Sequence, residues 1–281
     1  MRPRLGVVTG SVLALVLAAA ATPAAAQSLA PTSSRGKSVT PAFEGWYANE
    51  DGTFSISFGY YNRNSEEMLD VPVAPDNFVS PGAANQGQPT RFYPKRHWGV
   101  FAVKVPADFG DKKVVWTVRL RGETYAINGH LRPEWQIDAL DGEAGSGNTP
   151  PALKFSETGP EGSGPGGVTV GPLSAKVGVA LPVTVWATDD GNSFGSMATD
   201  GKTKTPVSIA WFKHQGPGDV TFSAPTARLT PTGGKSTTNA TFSKPGDYII
   251  RVRANDASGV VPAGHAQCCW TNGFVRVMVS Q

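Results

Sequence analysis

The stretch from residue 216 to residue 256 constrains this chain most. It reads GPGDVTFSAPTARLTPTGGKSTTNATFSKPGDYIIRVRAND. Short runs of alternating apolar and polar residues, at 220–222, 239–242 and 248–253, are cut apart by Pro-Gly and Gly-Gly pairs. Alternation with period two sends successive side chains to opposite faces of a strand. Strands of this length separated by tight turns pack as antiparallel sheets, face to face.

The same pattern runs upstream. Residues 53–61 (TFSISFGYY) set Phe54, Ile56 and Phe58 against Ser55, Ser57 and Gly59. Residues 97–105, 114–120 and 124–127 read as further strands, and 152–155 and 274–279 as the first and last strands of a second half. No segment keeps a helical period over three turns. The 33 glycines and 23 prolines supply the turns that such a chain needs. Tyr248 stands where a sandwich places a corner tyrosine. Residues 141–151 (DGEAGSGNTPP) lack any large apolar side chain and read as a linker. The expected organisation is a β-sandwich over 42–140, the linker, and a second β-sandwich over 152–281.

Within the second half, residues 216–222 give GPG-x-V-x-F, residues 237–242 give T-x-x-A-T-F, and residues 245–256 give PG-x-Y-x-x-R-x-x-A-x-D. These three segments, in this order, resemble the PKD/cadherin-like, immunoglobulin-type modules of secreted bacterial proteins. The resemblance covers the C-terminal half only. It implies an all-β fold, read over the whole chain as two tandem immunoglobulin-like antiparallel β-sandwiches. Such modules are mostly adhesive or structural. The resemblance supplies no activity; taken with the rest of the chain, the expectation is an exported, non-enzymatic binding, adhesion or structural accessory protein of the cell envelope, with carbohydrate or an envelope or extracellular protein as partner.

The compartment is read from the first residues. Arg2 and Arg4 precede an apolar run over 5–21, and Ala24-Ala25-Ala26 precedes Gln27. A basic start, a short apolar core and an A-x-A site describe a secretory signal peptide at 1–26. Residues 27–41 are polar at first and read as a flexible leader. Without Arg2 and Arg4 the 25 basic residues become 23 against 22 acidic ones, which leaves a net charge of +1. Nucleic acid is not an expected partner, because phosphate binding needs a concentrated basic face. No later segment approaches the length of a membrane span.

Candidate sites are few. Cys268 and Cys269 are the only cysteines and are adjacent. In an exported chain they are expected to be oxidised to one another. Beside Trp270 such a pair makes a rigid, sulfur-faced patch, which serves either as a loop staple or as a platform for a flat ligand. With His265 the same residues offer soft ligands for copper or zinc, the basis of an alternative redox or metal-accessory role. Asp189, Asp190 and Asp256 end strands, as calcium ligands do. They fall short of the six to eight oxygens of a tight calcium site and equally suit ordinary turns. Arg91, Phe92, Tyr93, Arg96 and His97 crowd one long segment and read either as a recognition loop or as a loop folded back on its sheet. Gly191-Asn192-Ser193-Phe194-Gly195 matches G-x-S-x-G, but no helix-forming sequence follows it, so no catalytic elbow is expected. His130, Glu134 and Asp138 lack metal-site spacing, and Trp135 and Ile137 read as core residues. No catalytic residue and no resident cofactor is expected.

Overall fold

The computed structural model describes residues 33–137, 149–191, 206–256, 261–263 and 266–281. The signal-peptide reading, linker residues 141–148 and positions 192–195 of the G-x-S-x-G match lie outside these residues. Nineteen strands are described, numbered in chain order.

In the N-terminal half they are β1 (Val39–Ala48), β2 (Phe54–Asn62), β3 (Leu69–Asp70), β4 (Asn77–Ser80), β5 (Arg91–Phe92), β6 (Lys95–Val105), β7 (Val114–Leu120) and β8 (Glu123–Gly129). One antiparallel sheet has the order β1-β2-β6 and the facing sheet β4-β7-β8; β3 and β5 form a two-stranded ribbon. Lettered by position, these sheets are A-B-E and C-F-G, the arrangement of immunoglobulin-type sandwiches. Ile56, Phe58 and Tyr60 of β2 meet Val100, Phe101 and Val103 of β6 and Trp116 and Val118 of β7 in one buried core. The chain is already anchored before β1: Ser65 and Glu66 donate backbone hydrogen bonds to Ser33 and Ser34, and the Lys37 amide donates to Asn64. Val39, inside the stretch whose composition suggests a leader, is fully buried and pairs with Asn62.

The C-terminal half contributes β9 (Ala152–Lys154), β10 (Val168–Lys176), β11 (Leu181–Thr188), β12 (Ser208–Gln215), β13 (Val220–Phe222), β14 (Thr226–Arg228), β15 (Gly233–Phe242), β16 (Gly246–Asn255), β17 (Val261–Ala263), β18 (Ala266–Cys268) and β19 (Trp270–Ser280). One sheet runs β13-β15-β11-β9 and the other β10-β19-β16-β12-β14. Lettered by position, these are D-E-B-A and A′-G-F-C-C′, with β10 parallel to β19. The A, B, C, E, F and G positions are those of an immunoglobulin-like domain, but the chain fills the D position (β13) before the C′ position (β14), the reverse of the usual succession. Its core is separate from the first and includes Leu153, Val185, Ile209, Phe242, Ile250, Val252 and Val275.

The two sandwiches nonetheless belong to one compact unit. Strand β16 shows why. Tyr248, Ile250, Val252 and Ala254 enter the core of the second sandwich, as the alternation requires. The opposite face carries Arg251 and Arg253, yet Arg251 is only 2% exposed. The N-terminal half covers that face.

The tyrosine corner is present: the Tyr248 hydroxyl donates to the Lys244 carbonyl at 2.8 Å. Tyr248→Phe keeps the buried ring but removes this bond. It should destabilise the fold by about 1 kcal/mol, read as a fall of a few degrees in Tm, with the circular dichroism spectrum unchanged.

Candidate functional site

The seam between the sandwiches is built of polar groups. Gly99 stands at its centre, with φ +44°. A Cβ there would lie 2.2 Å from the Trp270 ring, so only glycine lets β6 approach β19 this closely. The Gly99 carbonyl accepts from Trp270 Nε1 at 3.2 Å and from Asn272 Nδ2 at 2.7 Å. Asn272 also donates to the Pro165 carbonyl and accepts from Arg251 Nη1 at 3.1 Å. At the other end of the seam Gln215 and Asn85 exchange two amide bonds, and Gln215 donates to the Gln88 carbonyl at 2.6 Å. The Thr90 amide donates to the His214 carbonyl, and His214 Nε2 lies 2.7 Å from the Gly87 carbonyl oxygen. An ionic chain closes this end. Asp70 pairs with Arg91 at 2.6 Å and Lys213 at 3.2 Å, and Arg91 reaches Asp219 at 2.6 Å.

The candidate recognition residues therefore sit within this seam. Phe92 is fully buried in the first core. Arg91 belongs to the ionic chain, and the Tyr93 hydroxyl accepts from the Lys213 amide. Arg96 lies 3.6 Å above the Trp98 ring and pairs with Glu44 at 2.6 Å. His97 stacks on Tyr60 with ring centroids 5.0 Å apart. Trp270 is 1% exposed, so its ring is covered by β6 and presents no platform to solvent. The structure brings these residues together as packing and positioning groups of one interface.

The other candidates are placed apart. Cys269 is fully buried, and its carbonyl accepts from the Asp256 amide at 3.3 Å. The Cys268 side chain and His265 lie outside the described residues. The Asp189 carboxylate accepts from the Gly191 amide, and that of Asp190 accepts from Thr149. The Asp189 bond closes a local turn, whereas Asp190 ties the end of β11 to residue 149, 41 positions away. Among the described residues no three His, Cys, Asp or Glu side chains come together in a metal-holding group.

Clefts of 690, 660 and 700 Å³ lie along the seam. Several charged groups in them are engaged structurally: Asp51 with Lys104, and Asp70, Arg91, Lys213 and Asp219 with one another.

A different surface was missed by sequence reasoning. Trp135, expected in the core, is 43% exposed. It sits on a short 3₁₀ turn, Pro133–Trp135. That turn is held by two bonds to β1: Trp46 Nε1 donates to the Arg132 carbonyl at 2.7 Å, and the Ile137 amide donates to the Trp46 carbonyl at 2.9 Å. Proline at the start of the turn and the Trp46 clamp direct the indole outward. Phe43 lies 5.1 Å from the Trp135 ring and 4.7 Å from His130. Lys113, Asn128 and Arg132 complete a cleft of 370 Å³ that has no acidic side chain in its lining. Burial and then the charge of Arg132 lower the His130 pKa, which favours the neutral ring. The available signal was Trp135 following a proline in a polar turn, outside any alternating run.

Neither a family model nor a curated protein matches the chain. Among solved structures it is similar to the D00-D0 domain of intimin, with 14% identity over 87% of this chain and 100% of that one, at a TM-score of 0.28. It is similar to fibronectin(III)-like modules of Clostridium thermocellum CbhA, with 14% identity over 86% and 95%, at a TM-score of 0.22. Domains 4 and 5 of the S-layer protein SbsC match with 10% identity over 61% and 66%, at a TM-score of 0.26. Similarity at this level carries no functional inference. The immunoglobulin-like assignment rests on the strand order itself.

Burial holds His97 and His214 neutral, with pKa values pushed down to about 3, and the charge of Arg251 acts in the same direction. Their contribution to stability is complete above pH 6.5 and is lost as pH falls toward 3. Burial raises Glu44 to about 7 against the pull of Arg96. The folded state keeps that proton between pH 4.5 and 7, so this contribution is largest at low pH and declines as pH rises. Between pH 6.5 and 4.5 two histidines oppose one glutamate, and stability should fall on acidification. The limiting slope per net proton is about 1.4 kcal/mol per pH unit. His214→Gln should flatten the fall and Glu44→Gln should steepen it, measured by urea melts from pH 7 to pH 5.

Proposed function

We propose that this chain is an exported, non-enzymatic binding protein of the cell envelope or extracellular space that recognises an acidic carbohydrate. Its two sandwiches, over 42–140 and 152–281, act as one rigid body. The C-terminal half would then be a PKD/cadherin-like module and the N-terminal half the one that carries the ligand surface. The observation that carries this reading is the exposed Trp135 shelf. Indole is broad, rigid and amphipathic, and its face suits the apolar side of a pyranose ring. Asn128 supplies an amide for hydroxyl groups. Lys113 and Arg132, with no acid in the same cleft, favour a sugar bearing a carboxylate or sulfate. A concave surface lined by aromatics with a few polar groups is the ordinary form of a small-ligand site. The seam suits an accessory role because Asp70, Arg91, Lys213 and Asp219 are paired with one another across it, which fixes the mutual orientation of the sandwiches.

Two measurements test the reading. Titration calorimetry with polygalacturonate, with dextran as the neutral control, should detect binding of the acidic polymer alone. Trp135→Ala should weaken it at least about tenfold, the loss of a stacking contact worth at least about 1.4 kcal/mol, with Tm unchanged because the residue is exposed. Equal binding by the variant, or none by the parent protein, would remove the carbohydrate reading. Limited proteolysis addresses the rigid body. Cleavage within 141–151 should leave two fragments that still co-elute, because the seam holds them. Fragments that separate without denaturant would show two independent units on a tether.

A further inference from the structure

Strand β16 sends Arg251 and Arg253 to the same face, and both guanidinium groups lie over a single ring. Arg251 is 4.6 Å and Arg253 5.6 Å from the centroid of Phe212. Arg251 is buried, and among the described residues its one hydrogen bond goes to a neutral amide oxygen, Asn272 Oδ1. The Nε atoms of both arginines are shut off from solvent and have no hydrogen-bond partner. Among the described residues neither arginine pairs with a carboxylate. The acids of the seam are engaged elsewhere, Glu44 by Arg96 and Asp70 and Asp219 by Arg91. Around the pair stand Tyr60 and Tyr93, whose hydroxyl oxygens accept from the Tyr93 and Lys213 amides and whose hydroxyl hydrogens remain available to an acceptor. Arg253 is only half-buried and connects the pair to solvent.

Two like charges brought together in an interior repel one another, and each loses its hydration. A buried charge is stable when it is paired and hydrogen-bonded. Nothing in the described chain supplies the opposite charge. We propose that the Arg251–Arg253 pair is a binding site for one oxyanion, a sulfate or phosphate group, which bridges the two guanidinium forks at the seam. A tetrahedral oxyanion presents several edges, each able to accept two parallel N–H bonds from one arginine, which a halide cannot do. Tyr60 and Tyr93 can add hydroxyl donors. Bound there, the anion joins β16 of the second sandwich to the tyrosines of the first, so it stabilises the seam. This site is separate from the Trp135 cleft, and neither proposal depends on the other.

The test uses the full chain dialysed into chloride buffer. Chloride is replaced stepwise by sulfate, and in parallel by inorganic phosphate, at constant ionic strength while Tm is recorded. The parent protein should show a saturable rise, and calorimetry should return one site per chain. Arg253→Gln, which removes a half-buried side chain that makes no hydrogen bond, should weaken the apparent affinity at least tenfold. Arg228→Gln, an exposed charge control, should behave as the parent. Native mass spectrometry of protein never freed of its ion should show one retained adduct in the parent and none in Arg253→Gln. Glucose 6-phosphate distinguishes the source. A matching rise assigns the site to a phosphate carried on a larger molecule, and no rise assigns it to the free ion. A linear increase of equal size in all three proteins is the general salting effect of sulfate. That result, or no saturable shift together with no adduct, overturns the proposal.

Discussion

The close approach of β6 to β19 at Gly99 is the contact on which the rest of this structure depends. Without a side chain at that position, one carbonyl can accept from both Trp270 and Asn272. The outer face of the β10-β19-β16-β12-β14 sheet is thereby covered by the first sandwich. In an isolated immunoglobulin-like domain that face meets water, which explains its polar composition. Here the same polar residues are enclosed, and burial requires that they find partners. Gln215, His214, Lys213 and Asn272 find them on the opposing half. A net worth of about 1 kcal/mol per bond is modest. Leaving any one of these groups unpaired in the interior would cost more, which makes the seam selective for a single arrangement.

The histidine and glutamate shifts follow from the same enclosure. His97 and His214 are buried beside the positive charge of Arg251, so they stay neutral. Glu44 lies beside Arg96 but is so thoroughly buried that loss of hydration outweighs its partner. These groups have the perturbed ionisation often found at active sites. At this seam their hydrogen bonds and stacking contacts go to the protein itself. The group that faces outward is instead the unshifted, uncharged indole of Trp135, on a turn that the first sandwich holds rigidly. A seam that fixes the two halves and a surface that presents an aromatic shelf are separate devices, and a substitution in one should leave the other intact.

Much of the fold was legible in the sequence. Residues 220–222 and 114–120 are strands β13 and β7 to the residue. The run read at 248–253 lies within β16, where Tyr248, Ile250 and Val252 enter the core, and the corner role of Tyr248 follows from its position at the start of that strand. Period-two patterning and turn residues carry this information locally, because they act through the backbone of a single strand and its neighbours. Val39 was less legible, since a leader and an edge strand share a polar composition.

The sequence by itself determined the all-β class and several of the strands through their alternation, and the resemblance implied the immunoglobulin-like type. It did not determine what happens to the outward faces. Arg91, Tyr93, Arg96 and His97 read either as a recognition loop or as a loop folded back on its sheet, because exposed loops and enclosed interfaces use the same residue types. Trp135 looked like core because tryptophan usually is. Only the tertiary structure decided between these, since burial depends on which half covers which. The packing of the two halves enclosed Trp270, left Arg251 and Arg253 without an acid, and turned Trp135 toward water.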